Sequence, residues 1–90
     1  MENANLNRIC RLLYDAFIEI RMASREGDTN VSFGLADLLH TVPLAIAKEA
    51  AAGSDFSDTL RTILQRADER GIRSWVDTRL ATTATGEHSD

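Results

Sequence analysis

The chain has 90 residues, of which 43% are hydrophobic, and its ten basic and fourteen acidic side chains give a net charge of −4. This length suits one domain and not two, and an acidic domain is poorly matched to the phosphate backbone of a nucleic acid. The single cysteine excludes both an intramolecular disulfide and a cysteine-based metal cluster.

The N-terminus lacks the basic start and apolar run of a signal peptide. No apolar stretch approaches the roughly 20 residues that span a bilayer. We therefore expect a cytoplasmic protein without a membrane segment. Because so small a domain buries only a modest core, pairing with another chain is a common source of added stability.

A first helix is predicted from Asn5 to Arg25. Its expected core stripe repeats every three or four positions: Leu6, Ile9, Cys10, Leu13, Ala16, Phe17 and Ile20. On that stripe Cys10 would be a small buried hydrophobe and not a nucleophile. Tyr14, Ile18 and Met22 form a second stripe, roughly 120° round the helix. This second stripe predicts a second neighbour, either another helix of the chain or a partner.

Gly27, in the loop that follows, suits the position after a helix end, and Ser32 is the predicted N-cap of the second helix. That helix has a core stripe of Leu35, Leu38, Leu39, Val42 and Ile46. Pro43 removes a backbone hydrogen bond and predicts a bend or a break. Leu44 lies off the stripe and is a candidate interface residue, unless a bend turns it inward.

A third helix is predicted to open at Ser54 or Asp55, which can cap it, and to stop at Gly71. Its stripe contains Phe56, Leu60, Ile63, Leu64 and Ala67. A short fourth helix over 74–81 places Trp75 at one end of the core, and 82–90 should be a disordered tail. The sequence thus predicts an all-α bundle of three main helices plus a short C-terminal one, in a single domain over 1–81.

Asp37 and His40 are the one pair with a chemical pattern. Residues three apart share a helix face, so a carboxylate and an imidazole there can share a metal or a proton. Asp15 and Glu19 of the first helix are the candidates for completing a metal site. The alternative is structural: His40 hydrogen-bonds Asp37, or a carbonyl freed by Pro43, and fixes the bend.

Arg66, Arg70 and Arg73 surround the turn between the third and fourth helices. A helix-turn-helix protein places its second helix in the major groove of DNA. Here that helix carries Trp75, which the core needs, and neighbouring acidic residues cancel most of the charge. A nucleic-acid-associated regulator is therefore only a second alternative.

The stretch SFGLADLLHTVPLAI resembles a set of small, all-helical bacterial proteins that carry an LADL-H-x-x-P core. The likeness covers roughly Ile9 to Leu80. Its distinctive positions are Leu35, Ala36, Asp37, Leu38, His40 and Pro43. The family has no assigned activity, so the resemblance implies a helical fold and a bacterial origin, and nothing catalytic.

Nothing in the sequence indicates a substrate, a cofactor or a catalytic residue. We expect a non-catalytic protein-interaction or dimerisation module, a homodimer or a binder of another protein. Its interface residues would be Tyr14, Ile18, Met22 and Leu44. The alternative is a metal-binding helical protein that uses Asp37 and His40 with the carboxylates of the first helix.

Overall fold

The computed structural model describes the backbone of residues 3–89 and side chains from Asn3 to Ala81. Four helices fill these residues: α1 (Ala4–Glu26), α2 (Thr29–Ala52), α3 (Ser57–Arg70) and α4 (Arg73–Ser89). Helix α1 packs against α2 and α4, and α3 also packs against α2 and α4. The predicted all-α bundle is confirmed.

One core runs through the bundle. Its buried residues come from all four helices and the turns between them: Ile9, Leu12, Ala16, Leu35, Leu38, Val42, Phe56, Ile63, Ala67, Ile72 and Val76. The stripes predicted for α2 and α3 lie in this core or pack against it. Their 3.6-residue periodicity was therefore a sound guide to which faces are buried.

Three glycines end the first three helices in the left-handed conformation: Gly27, Gly53 and Gly71. After α3, the amide of Gly71 donates to the Asp68 carbonyl, and the amide of Ile72 donates to the Ala67 carbonyl at 2.9 Å. This pair of bonds satisfies carbonyls that the helix end leaves free. Ile72 folds back and is buried, as the sequence predicts.

Helix α2 begins earlier than predicted. Asp28, not Ser32, is the N-cap, and its side chain accepts a hydrogen bond from the amide of Val31 at 3.2 Å. The helix then runs through Pro43 without a break, so a break at that residue was wrong. A bend stays a prediction. Thr41 donates to the Asp37 carbonyl at 2.8 Å, a type of bond that often bends helices.

The start of α3 is held by α2. Glu49 accepts hydrogen bonds from the amide and hydroxyl of Thr59 and from the hydroxyl of Ser54. These bonds, with that from Ser54 first, hold the pKa of the Glu49 carboxyl below its ordinary value. Phe56, the residue immediately before α3, has a left-handed φ of 68° and a buried ring. The junction is thus fixed by a carboxylate cap and by a buried ring that holds a strained backbone.

Helix α1 is rotated relative to the sequence-based expectation. Leu12 is fully buried, whereas Cys10 and Phe17, both placed on the predicted core stripe, are exposed. Apolar residues occupy more than half of the circumference of α1, so its neighbours α2 and α4 decide which of them are buried. Leu12 packs into the core, and Phe17 points outward.

Helix α4 continues to Ser89, eight residues beyond the predicted end at Ala81. No proline follows Ala81, and extending an existing helix is far less costly than nucleating one. The structure therefore has helical backbone where the sequence predicts a disordered tail. Side chains from Thr82 onward lie outside the described residues, and the division of the chain at 81 stays a prediction.

Trp75 packs against the core and is half-buried, close to the predicted position at one end of it. The guanidinium carbon of Arg79 lies 5.2 Å from the centroid of its ring. This distance is typical of a cation–π contact. Arg79 also lies 3.8 Å from Glu19, which ties α4 to α1.

Helix α2 is long and apolar enough, by length and composition alone, to cross a membrane. The expectation that no segment reaches that length was therefore wrong. Core helices of soluble proteins pass the same test. Leu35, Leu38 and Val42 of α2 are fully buried against the other helices, which explains the apolar composition of one of its faces.

Candidate functional site

Asp37 is a link between helices. Its carboxylate accepts two hydrogen bonds from the Arg66 guanidinium, from Nε at 2.6 Å and from Nη2 at 2.8 Å. Arg70 lies 3.5 Å away, and the Asp37 side chain is only 10% exposed. The hydrogen bonds from Arg66, with the charges of both arginines, hold the pKa of Asp37 below its ordinary value. Asp37 therefore joins α2 to α3 as a bidentate ion pair.

His40 does not share this site. Its side chain is exposed, and among the described residues it has no hydrogen-bond or ion-pair partner. The predicted hydrogen bond from His40 to Asp37 is thus wrong, because Arg66 occupies the carboxylate. A bond from His40 to a carbonyl freed by Pro43 is likewise missing there. The sequence spacing placed the two residues close together but could not reveal a partner 29 positions away.

The candidate metal ligands are not brought together. Asp15 pairs with Arg11 at 3.7 Å, and Glu19 pairs with Arg79 at 3.8 Å. Within the part of the chain that the structure describes, no three histidine, cysteine or acidic side chains form a group able to hold a metal ion. The predicted grouping of Asp37 and His40 with the carboxylates of α1 is therefore not formed.

The arginines near the α3–α4 turn are paired. Arg66 and Arg70 contact Asp37, while Arg73 lies 2.8 Å from Asp68 and 2.9 Å from Asp77. Their positive charges are largely neutralised by these carboxylates. A nucleic-acid backbone would have to displace them, so the local geometry does not favour phosphate binding.

The second stripe of α1 is exposed within the chain. Tyr14, Phe17, Ile18 and Met22 are 61%, 59%, 43% and 51% exposed. The sequence left open that another helix of the chain covers this stripe, but neither α3 nor α4 does so. Phe17 was assigned to the core and belongs here instead; its spacing of three from Tyr14 is the signal that places it on this face. We call these four residues the outward face of α1.

Two arginines extend this face toward the end of the helix. Phe17, Ile18, Arg21, Met22 and Arg25 line a shallow depression of about 170 Å³. Arg21 and Arg25 are exposed, and neither has an ion-pair partner among the described residues. The outward face therefore joins an apolar surface to two uncompensated positive charges.

Leu44, the remaining predicted interface residue, is 65% exposed and did not turn inward. It lies seven residues after Asp37, which places the two on the same flank of α2. Asp37 contacts Arg66 of α3, whereas Leu44 on the same flank is open to solvent. Leu44 thus belongs to α2 and not to the outward face of α1, and its part in an interface stays a prediction.

Comparison of the chain with protein-family models, curated proteins and solved structures gives no match. The resemblance to small bacterial helical proteins stays a prediction. Function has to be inferred from the surface of the bundle itself.

Proposed function

We propose that this chain is a non-catalytic protein-interaction module that docks a protein on the outward face of α1. The observation that carries the proposal is the exposure of Tyr14, Phe17, Ile18 and Met22 in one continuous stripe. A contiguous apolar surface on a small soluble domain is typical of an association site. Tyrosine adds a large apolar ring with a hydroxyl that remains available to water or to the partner.

The charged residues support a structural bundle that presents this face. Asp37 and Glu49 are both occupied in joining helices, and neither is free to serve as an acid, a base or a metal ligand. Catalysis by these carboxylates would require breaking the contacts that hold α2 to α3. A docking function needs only a rigid helix with an exposed apolar face.

Two occupants fit the proposal at this level. The sequence favours a second copy of the chain, which would give a homodimer, and leaves a helix of another protein as the alternative. A cytoplasmic location agrees with either. The proposal itself concerns the face, and its test should report on binding by either occupant.

The test compares wild type with Ile18→Glu in two assays on the full chain. Sedimentation measures self-association from micromolar to millimolar concentration, and selection from a displayed library of amphipathic helices measures binding of a foreign helix. Ile18 is 43% exposed, so a charged side chain can reach water and the variant should fold. Wild type should associate in at least one assay, and Ile18→Glu should abolish that association.

Phe33→Glu is the matched control. Phe33 is 67% exposed and lies four residues before Asp37, on the same flank of α2 as Leu44. This variant should fold and bind as wild type does. A wild type that associates in neither assay, or an association that Ile18→Glu leaves intact, would show that the outward face of α1 is not a docking surface.

A further inference from the structure

We infer that the occupant of the outward face of α1 is an acidic amphipathic helix of another protein. The inference rests on the proposed docking function and adds the chemistry of the partner. It follows from the charges around the apolar stripe, in particular from Arg21 and Arg25, and from what those charges would meet in each possible complex.

The basic residues of the face have little local compensation. Arg11 is paired with Asp15 at 3.7 Å, while Arg21 and Arg25 line the depression without a carboxylate partner among the described residues. Arg25 also complements the negative end of the helix dipole, but Arg21 lies outside the last turn. The chain as a whole has a net charge of −4, so this face has the opposite sign to the molecule.

A second copy of the chain would fit these charges poorly. In a dimer, the α1 helices of the two copies would pair antiparallel about a two-fold axis at Ile18. A residue a given number of positions before Ile18 then faces the residue the same number of positions after Ile18 in the second copy. Arg11 then faces Arg25 of the second copy, and the dimer contains that repulsion twice. Asp15 would face Arg21 and offset part of this repulsion, but each copy brings only this one carboxylate into register against its three arginines. Like charges in register destabilise a complex.

An acidic helix meets the same surface favourably. Apolar side chains at positions i, i+3, i+4 and i+7 of a partner helix can pack against the outward face of α1. Arg21 and Arg25 are one turn apart, about 6 Å along the axis. Two carboxylates four residues apart on the partner match that spacing. The geometry thus defines a recognition element: an apolar stripe with an acidic i, i+4 pair along one edge.

The test is a selection from a displayed library of 20-residue helices. Each helix has a varied apolar stripe, and two positions at the edge of that stripe, four residues apart, are either Glu or Lys. Binders are selected on full-length wild type and on the charge-reversed variant Arg21→Glu/Arg25→Glu. Wild type should enrich Glu at both edge positions, and the reversed variant should enrich Lys. Each selected acidic peptide should bind the reversed variant at least about tenfold more weakly, because two attractions become repulsions.

Circular dichroism should show the same helicity for both proteins, since Arg21 and Arg25 are exposed and make no ion pairs among the described residues. Equal selection of Glu and Lys, with binding still abolished by Ile18→Glu, would overturn the acidic partner and leave the docking face intact. Failure to select any binder, in a wild type that is also monomeric, would overturn both proposals.

Two further outcomes would also overturn the inference. A wild-type dimer that Ile18→Glu dissociates would show that a second copy covers the face. Binding to phosphatidylglycerol vesicles that is lost on charge reversal, with no helix selected, would show that the arginines recognise an anionic membrane surface instead.

Discussion

A single added methyl group at Gly34 tests the packing that orients α2 against the α3–α4 turn. Gly34 is buried in the second turn of α2. A Cβ at this position would lie 2.9 Å from Cγ2, 3.0 Å from Cδ1 and 3.3 Å from Cγ1 of Ile72. Favourable contacts between carbon atoms lie at about 3.5–4.0 Å, so all three distances are too short.

The size of the effect follows from two opposed contributions. Ile72 is 3% exposed and branched next to its backbone, so it cannot move aside easily, and such overpacking costs about 1–3 kcal/mol. Alanine is favoured over glycine inside a helix by about 0.8–1.0 kcal/mol. Gly34→Ala should therefore destabilise the domain by about 1 kcal/mol. For a domain of this size the melting temperature should fall by about 4–8 °C.

The assay is thermal and urea denaturation followed by circular dichroism, with Ile72→Ala as the second background. Ile72→Ala alone should cost about 2–5 kcal/mol because it leaves a cavity. In that background Gly34→Ala meets no clash and should stabilise the domain. The expected signature is a change of sign between the two backgrounds. An effect of the same sign in both would refute the close approach of Gly34 to Ile72.

Three further predictions concern the contacts of Asp37, Glu49 and His40. Asp37→Asn should lower the melting temperature more than Arg70→Gln does, because Arg66 provides the shorter bonds and Arg70 lies at 3.5 Å; equal effects would contradict this. The pKa values of Asp37 and Glu49 are lower in the folded state than in the unfolded state, where they lie near 4. Both ionised carboxylates therefore stabilise the fold above about pH 4, and this stabilisation is lost as the pH falls through their lower pKa values in the folded state. The free energy of unfolding should therefore fall less steeply with decreasing pH in Asp37→Asn/Glu49→Gln than in wild type. The same pH dependence in both proteins would refute a stabilising role for the two ionised carboxylates. His40→Ala should change stability by less than about 0.5 kcal/mol, because the ring is exposed and unpaired among the described residues; a larger loss in urea denaturation would restore a structural role for the imidazole.

Much of the fold could be predicted from local patterns. Gly27 and Gly71 were identified as helix ends because a left-handed conformation after a helix favours glycine. The stripes of α2 and α3 were clear because their large core residues repeat every three or four positions. These features depend on neighbours in sequence, and a single sequence contains that information.

The rotation of α1 could not be predicted in the same way. Its apolar residues surround much of the helix, and Phe17 is as hydrophobic as any residue in the core. Burial of Leu12 instead of Phe17 depends on where α2 and α4 lie, and the sequence of α1 alone does not specify those positions. The exposed stripe was predicted as a candidate interface, but Phe17 was assigned to the core and not to this stripe.

The long-range polar contacts were also beyond local reasoning. Asp37 meets Arg66 across 29 positions, and Glu49 caps a helix that begins eight residues later. Local capping patterns extend over about three residues, so they identified Ser54 and Asp55, which do accept from the amides at the start of α3, but not the distant Glu49. The grouping of Asp37 with His40 is not formed for the same reason: spacing within α2 cannot show that α3 supplies the partner of Asp37.

The most direct test of the docking face is amide chemical-shift mapping on the full-length protein. Spectra are recorded while a selected acidic helix is added, and separately while the concentration of the protein itself is raised. Shifts on adding the helix should be largest at Tyr14, Phe17, Ile18 and Met22, extend to Arg21 and Arg25, and be absent at Phe33. Largest shifts along α3, or on the flank of α2 that carries Phe33 and Leu44, would contradict the assignment of the outward face of α1 as the docking surface.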